Sequence, residues 1–337
     1  MKLLNKTHRK LTRPAPKNQA TQRGWFKFAT WTIPGKNYKL APDRRITFVC
    51  FVLCLVLSLV LQTNLAKAQS FSRTITKKAV FAKKSNPANK FIIKNINGSV
   101  SIKAYDGDTI ELTVNEEIRG NSDEIQKAKK ELSYKLKRDG NLIYAYPDAP
   151  FITIKRNGNN IDFSMHRDNS EHDYRFTDEV TVRVPRGILV DGSTVNKGKL
   201  AIDGSFKKVE ASNVNGALKL HHMTSETHAS TVNGDITINY DQSPDGDSDY
   251  HTVNGTINLH MPDDLSADIY FQSMHGNLYT NFDNIKQLKP EVHKKSHSSM
   301  SGMTYQVDKT TPIRIGDGGT KLRFKVLNGD VYIRKQS

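Results

Sequence analysis

One short pattern recurs through the chain: apolar, Asn, Gly, any residue, apolar, any residue, apolar. The copies are Ile96-Asn97-Gly98-Ser99-Val100-Ser101-Ile102, Val214-Asn215-Gly216-Ala217-Leu218-Lys219-Leu220, Val232-Asn233-Gly234-Asp235-Ile236-Thr237-Ile238 and Val253-Asn254-Gly255-Thr256-Ile257-Asn258-Leu259. Leu327-Asn328-Gly329-Asp330-Val331-Tyr332-Ile333 is another copy, and Met274-His275-Gly276-Asn277-Leu278-Tyr279-Thr280 is a degenerate one. Val195-Asn196-Lys197-Gly198-Lys199-Leu200-Ala201-Ile202 carries one inserted residue. The glycines at 198, 216, 234, 255 and 276 are 18, 18, 21 and 21 residues apart. Residues seven and five before the glycine are apolar too, as in Phe91 and Ile93 or Leu322 and Phe324. Alternation of this kind marks a strand with one buried face. Asn-Gly tolerates the positive φ that a tight bend requires. Each unit therefore reads as strand, bend, strand.

Asn-Gly between two alternating segments also fits a β-hairpin. The regular step favours rungs of a solenoid instead, each stacked on the next. The expected fold is all-β: a parallel β-solenoid with V-N-G-x-I-x-I rungs. Val, Ile and Leu form inner columns, and Thr, Ser and Lys face outward. An inward Asn column would form a hydrogen-bonded ladder, but the pattern leaves its direction open. A small strand-rich N-terminal part adds one short helix at Ser122–Glu131, which has N-cap and helix-former character. Leu132–Lys137 and Leu142–Tyr146 flank Asp139-Gly140 as a hairpin. Further strands are expected at Ile152–Lys155, Ile161–Met165 and Glu179–Val184.

The formal charge of +16 suggests nucleic acid until it is located. Residues 1–45 hold twelve Lys/Arg against Asp43, a net of +11, and Lys67 adds one. The chain from Gln69 on carries only 16 − 11 − 1 = +4, which does not support a nucleic-acid partner. Arg44 and Arg45 precede the uncharged run ITFVCFVLCLVLSLVL, and Ala66-Lys67-Ala68 follows as a small-residue cleavage site. Basic, apolar and small-residue parts compose a secretory signal. An uncleaved anchor, with residues 1–45 in the cytoplasm, is the competing expectation. Cys50 and Cys54 both lie in the apolar run, so the mature chain has no disulfide framework. The chain divides into a leader at 1–68, a linker at 69–89, and the repeat domain at 90–337 with an insertion at 283–319.

With these units laid out, the chain resembles the bacterial "putative adhesin" family of β-strand-repeat proteins, whose function is unknown. The successive V-N-G units and Val182-Arg183-Val184-Pro185-Arg186-Gly187 leading into them carry the resemblance. It covers about Phe91 to Ile333, and it implies an exported, all-β, envelope-associated protein. The resemblance supplies no catalytic residues. The long basic leader, Lys197, His275 and the insertion after Tyr279 depart from the pattern.

Candidate chemistry is sparse. Asp241, Ser243, Asp245, Asp247 and Asp249 place oxygen ligands at alternate positions around Gly246, like the first half of a calcium loop. Thr252 stands where the closing Glu belongs, so a solvated acidic loop is the competing reading. His221, His222, His228 and His251 lie near bends where stacking would gather imidazoles at a metal. The outward residues Lys219, Asp235, Tyr279 and Tyr332 select no acid–base pair. Asp162 and His166 share a strand face. No G-x-S-x-G, H-E-x-x-H or phosphate-binding loop is present. No catalytic residue, cofactor or enzyme activity is expected. The expected function is an adhesin-like or scaffolding surface in the periplasm, outer membrane or cell surface. It would bind an extended glycan or protein, with self-association through the open end rung. A polysaccharide-acting enzyme and an inner-membrane-anchored accessory are the alternatives.

Overall fold

The computed structural model describes residues 52–53, 69–84, 86–165, 174–289, 291–299, 302–310 and 312–336, with 291–299 and 302–310 described for backbone only. The leader, apart from helical Val52 and Leu53, lies outside the described residues, and so does His166. No helix among the described residues is long and apolar enough to cross a membrane. The chain divides into two units, Met1–Leu65 and Ala66–Ser337, and the sheets belong to the second.

Each repeat is a rung with two strands in different sheets. Lys208–Asn215 precedes the bend at Gly216 and Leu218–Met223 follows it. The first belongs to an eleven-stranded sheet and the second to a ten-stranded one. The strands flanking each bend therefore do not pair as a hairpin. Each pairs in parallel with its equivalent in the next rung: Val209 with Thr227, and Leu218 with Ile236. Alternate residues point between the two walls, where Val209, Ala211, Leu218 and Leu220 are buried. One cluster continues from Phe81 through Ile238 to Ile333. Each fully buried Leu or Ile there contributes about 1.5–3 kcal/mol.

Stacking dictates the glycine. A Cβ at Gly216 would lie 2.0 Å from the Gly198 carbonyl oxygen, and one at Gly234 would lie 2.2 Å from that of Gly216. The same contact recurs at Gly255 against Gly234 and at Gly329 against Gly255, both at 2.0 Å. Positive φ is the reason at only some bends: Gly98 at 111°, Gly255 at 154° and Gly329 at 141°. At Gly216 and Gly234 the constraint is space alone. The inserted Lys197 takes up the extra length of its rung at φ 58°. The asparagines form a ladder, and it faces outward. Nδ2 of Asn215, Asn233, Asn254 and Asn328 donates to Oδ1 of Asn196, Asn215, Asn233 and Asn254, at 3.3, 3.0, 2.8 and 2.8 Å. Inside the bend, Thr194, Asn213, Thr231 and Thr252 donate to the glycine carbonyl of the preceding rung at 2.8–3.3 Å.

Three expectations need correction. Rung order departs from chain order: Thr320–Asn328 lies between Ser248–Asn254 and Ala267–His275, and Val331–Lys335 lies between Ile257–Met261 and Leu278–Thr280. The 69–89 linker contains a strand, Gln69–Val80, paired antiparallel with Thr109–Gly120. Its half-buried Phe71, Ile75 and Ala79 alternate with exposed residues, which is the period-two pattern of an edge strand. The 283–319 insertion also holds regular structure. Ile285–Gln287 and Ile313–Ile315 extend the eleven-stranded sheet, and Glu291–Ser299 pairs with Gly302–Thr310.

The N-terminal part follows its sequence closely. The helix Ser122–Glu131 is capped by Asn121 and Glu124 in a reciprocal capping box. Ser133–Asp139 and Leu142–Asp148 form the Asp139-Gly140 hairpin.

Gly234→Ala drives a methyl into the Gly216 carbonyl. We expect a loss of about 2–4 kcal/mol of stability in urea unfolding, whereas Asn233→Ala, which breaks exposed amide bonds only, costs about 1 kcal/mol.

Candidate functional site

A concavity runs along the ten-stranded sheet, across the rungs. Aligned strands put Lys103, Asp203 and His221 in one outward row, and Asn239, His260 and Arg334 continue it. Between the two halves the register slips: Leu220 pairs with Ile238 but Met223 pairs with Tyr240. Two residues, His221 and His222, thus stand opposite Asn239, which makes a β-bulge. His222 adopts φ 59°, a conformation that non-glycine residues seldom take. The bulge aims its ring at Asp241, with Nδ1 3.0 Å from Oδ2 and 3.1 Å from Oδ1.

His222 and Asp241 form a divide between two shallow polar basins. One, of about 340 Å³, is lined by His221, His222, Asn239, Asp241, His260 and Gln336. The other, of about 380 Å³, is lined by Ala104, Arg186, Asp203, Gly204, Ser205, His222 and Asp241. Gln336 is fixed by a bond to the Tyr240 carbonyl at 2.5 Å, and Arg186 by Asp106 at 2.8 Å. The groove offers imidazole, carboxylate, amide and guanidinium groups at successive rungs.

Asp241, Ser243, Asp245 and Asp247 lie in one connection between rungs and Asp249 in the strand that follows, and each of the four carboxylates has a protein partner. Asp241 faces His222. Asp245 accepts the Glu226 N–H at 3.1 Å. Asp247 accepts the Lys321 N–H at 3.0 Å and pairs with Arg323 at 2.7 Å. That backbone bond, then Arg323, hold its carboxyl below the usual range. Asp249 pairs with His228 at 2.9 Å and Arg323 at 3.5 Å. Ser243 lies between Asp241 and Asp245 in the same connection. Among the described residues, no group of three or more His, Cys, Asp or Glu is placed to hold a metal ion.

The four histidines do not converge. His221 and His222 lie on the ten-stranded sheet, while His228 and His251 lie on the eleven-stranded one. His228 sits between Glu226 at 2.5 Å and Asp249 at 2.9 Å, in a row of alternating charge that also includes Lys208 and Arg323. Burial pushes the Glu226 carboxyl up, but bonds from Lys208 and His228 outweigh it and hold the group below its ordinary range. Asp235 is used within the stack, accepting the Thr256 N–H at 2.8 Å. Tyr279 and Tyr332 stack with centroids 5.0 Å apart, and Arg334 lies over Tyr332 at 4.4 Å. Lys219 neighbours Thr237 in the row above Asn258.

A second polar cluster is buried at the other end of the stack. Glu116 and Asp178 stand opposite one another on antiparallel strands and are both almost fully buried. Arg73 pairs with Glu116 at 2.7 Å. Burial, then the Glu116 charge, push the Asp178 carboxyl up to about 8, against the pull of Arg73. Burial also raises the Tyr134 hydroxyl, with the charge of Asp178 adding to it. Both acids occupy inward positions of alternating strands, Val114-Asn115-Glu116-Glu117-Ile118 and Phe176-Thr177-Asp178-Glu179-Val180. An acid in an apolar phase is a signal legible in the sequence. Asp203, His260, Arg186 and Gln336 are also absent from the candidates read off the sequence. Aligning the repeats one residue beyond their last apolar position finds the first two; Arg186 and Gln336 lie outside the repeats and have no such signal.

The folded Asp178 carboxyl binds its proton more tightly than an unfolded aspartate, which titrates near about 4. Its contribution to stability is therefore whole below about pH 4 and is lost as pH climbs towards about 8. Thermal melts should show a higher Tm at pH 5 than at pH 8. Asp178→Asn should shrink that difference, and an unchanged difference would remove Asp178 as its source.

Comparison with known families matches residues 152–323 to the Toastrack DUF4097 family. The protein belongs to this family, and its parallel two-walled stack is a member's fold. No curated protein matches the chain. Solved structures that the chain matches include a "putative cell adhesion protein" from Clostridium sporogenes, 9% identical, with a TM-score of 0.39, covering 78% of this chain and 100% of that one. A "putative adhesin" from Bacteroides fragilis is 12% identical, with a TM-score of 0.23 and coverage of 78% and 97%. A "putative lipid binding protein" from Parabacteroides distasonis is 10% identical, with a TM-score of 0.22 and coverage of 79% and 97%.

Proposed function

We propose that this protein is a non-catalytic, exported envelope protein that holds an extended glycan along the groove of its ten-stranded sheet. The observation that carries the reading is the repetition of polar groups at rung spacing, from Asp203 through His221 and Asn239 to His260. Strands in a sheet stand about 4.8 Å apart, close to the length of one pyranose unit. A polymer laid across the rungs meets a fresh donor or acceptor at each step. Many weak contacts then sum to useful affinity without a deep pocket. The groups along the groove are donors and acceptors suited to hydroxyls. The basic leader and its apolar run support export, and a surface or periplasmic position follows from that reading.

The test is retention of the full-length protein on soluble polysaccharides in affinity electrophoresis, with reducing ends assayed in parallel. We expect retention without release of reducing ends. His221→Ala with His260→Ala should weaken it about thirtyfold, since each lost hydrogen bond is worth about 1 kcal/mol. New reducing ends would favour the polysaccharide-acting enzyme. Unchanged retention in the double variant would move the binding face elsewhere. Protease shaving of intact cells, with N-terminal sequencing, checks export separately: a chain starting at Gln69 and cut from outside supports a surface position.

A further inference from the structure

The residue before each bend asparagine forms a column of its own, on a different surface from the groove. The ladder register places Val195, Val214, Val232, Val253, Leu327 and Met274 in consecutive rungs. All six are apolar; four are exposed, Val214 at 37%, Val232 at 39%, Leu327 at 38% and Met274 at 70%, and Val195 and Val253 are half-buried. A lone exposed valine needs no explanation, but a continuous row at one strand spacing does.

At its other end the same column is covered by the protein itself. Beyond Val195 comes Ile96, linked through the Asn97–Asn196 bridge, and it is only 1% exposed. Ile96 joins Phe176, Ile118 and Phe71 in a separate apolar cluster. Phe71 is opposite Ile118, and Ile118 is opposite Phe176. Covering that cluster is the helix Ser122–Glu131, which contributes Ile125 and Ala128, with Leu132 at its C-cap. Lys129 lies over the Phe71 ring at 3.8 Å.

We propose that the apolar row from Val195 to Met274 is the docking site for an amphipathic α-helix of a partner protein. The helix Ser122–Glu131 shows the mode of cover on the adjoining cluster. Side chains three and four apart on a helix are about 5–6 Å from one another, which matches the strand spacing of about 4.8 Å. One aliphatic row of a helix can thus follow the column. Five spacings span about 24 Å, the length of a helix of about sixteen residues. The flanks are neutral over the first three rungs, where the Asn196, Asn215 and Asn233 amides lie on one side and Ser193, Ser212 and Ser230 on the other. His251, Lys325 and Gln272 continue the second side over the later rungs. The partner helix should therefore carry short uncharged polar residues beside the part of its aliphatic row that meets the first three rungs.

The probe is a fluorescent synthetic helix of about sixteen residues, with leucines on one face and Ser and Gln beside them. It is titrated with the full-length protein and followed by anisotropy. We expect saturable binding in the micromolar range, weakened at least tenfold by Val214→Ser with Val232→Ser. That variant should keep its far-UV circular dichroism and its glycan retention, so failure of the groove reading and failure of this one are separable. Loss of the native spectrum would call for the milder Val232→Thr, with at least a threefold weakening expected. Absence of saturable binding below about 1 mM, or equal binding by a folded variant, would overturn the proposal. Two further outcomes would overturn it in favour of another occupant. Valine-dependent dimerisation in sedimentation would assign the row to a second copy. Valine-dependent partition onto phosphatidylcholine vesicles would assign it to lipid.

Discussion

Everything in this molecule depends on how closely two backbones approach at the bend. Parallel strands hydrogen-bond at a fixed separation of about 4.8 Å. When two such sheets are joined by a short turn in every rung, the turns must stack at the same separation. There is no room between them for a side chain, and the glycine carbonyls sit where a Cβ would be. Exclusion at this point fixes the register of both walls. The interior Val, Ile and Leu columns are aligned because the bends are aligned, and the outward rows that form the groove inherit the same alignment. Thr and Asn side chains bond the glycine carbonyls from inside and tie each rung to the one before it.

Much of this was legible in the chain. The recurrence of Asn-Gly at 18 and 21 residues revealed the rungs, and alternation revealed which residues face inward. The helix at Ser122–Glu131 and the Asp139-Gly140 hairpin followed from local chemistry. The physical reason for the glycine was read only in part. Positive φ adds to the demand for glycine at Gly98, Gly255 and Gly329, whereas Gly216 and Gly234 answer only to a neighbour in another rung, which no local pattern contains. The outward direction of the asparagines is also a property of the stack. The strand Gln69–Val80 was misread because its Ser, Thr and Lys residues resemble a linker, although Phe71, Ile75 and Ala79 kept a period of two.

The groove was harder to see for a related reason. His221 and His222 drew attention as neighbours in sequence, yet their importance lies in a bulge, which depends on the pairing of two strands. Asp203, His260 and Asn239 are unremarkable until the rungs are superposed. The carboxylates of the calcium-loop residues bond to neighbouring rungs: Asp245 accepts a backbone amide of one, and Asp247 accepts an amide and pairs with Arg323 of another.

The displaced rung has a consequence for assembly. Residues 320–335 are synthesised after both of their neighbours, yet they occupy the slot between them. The segment at 267–280 cannot settle against 248–261 as earlier rungs settle against theirs, because that place belongs to a strand pair not yet made. Growth of the stack must halt with a gap and then be completed by a wedge. The last-arriving residues act as a keystone: until they enter, the terminal courses have no seat, and a chain arrested before them would be divided rather than merely shortened.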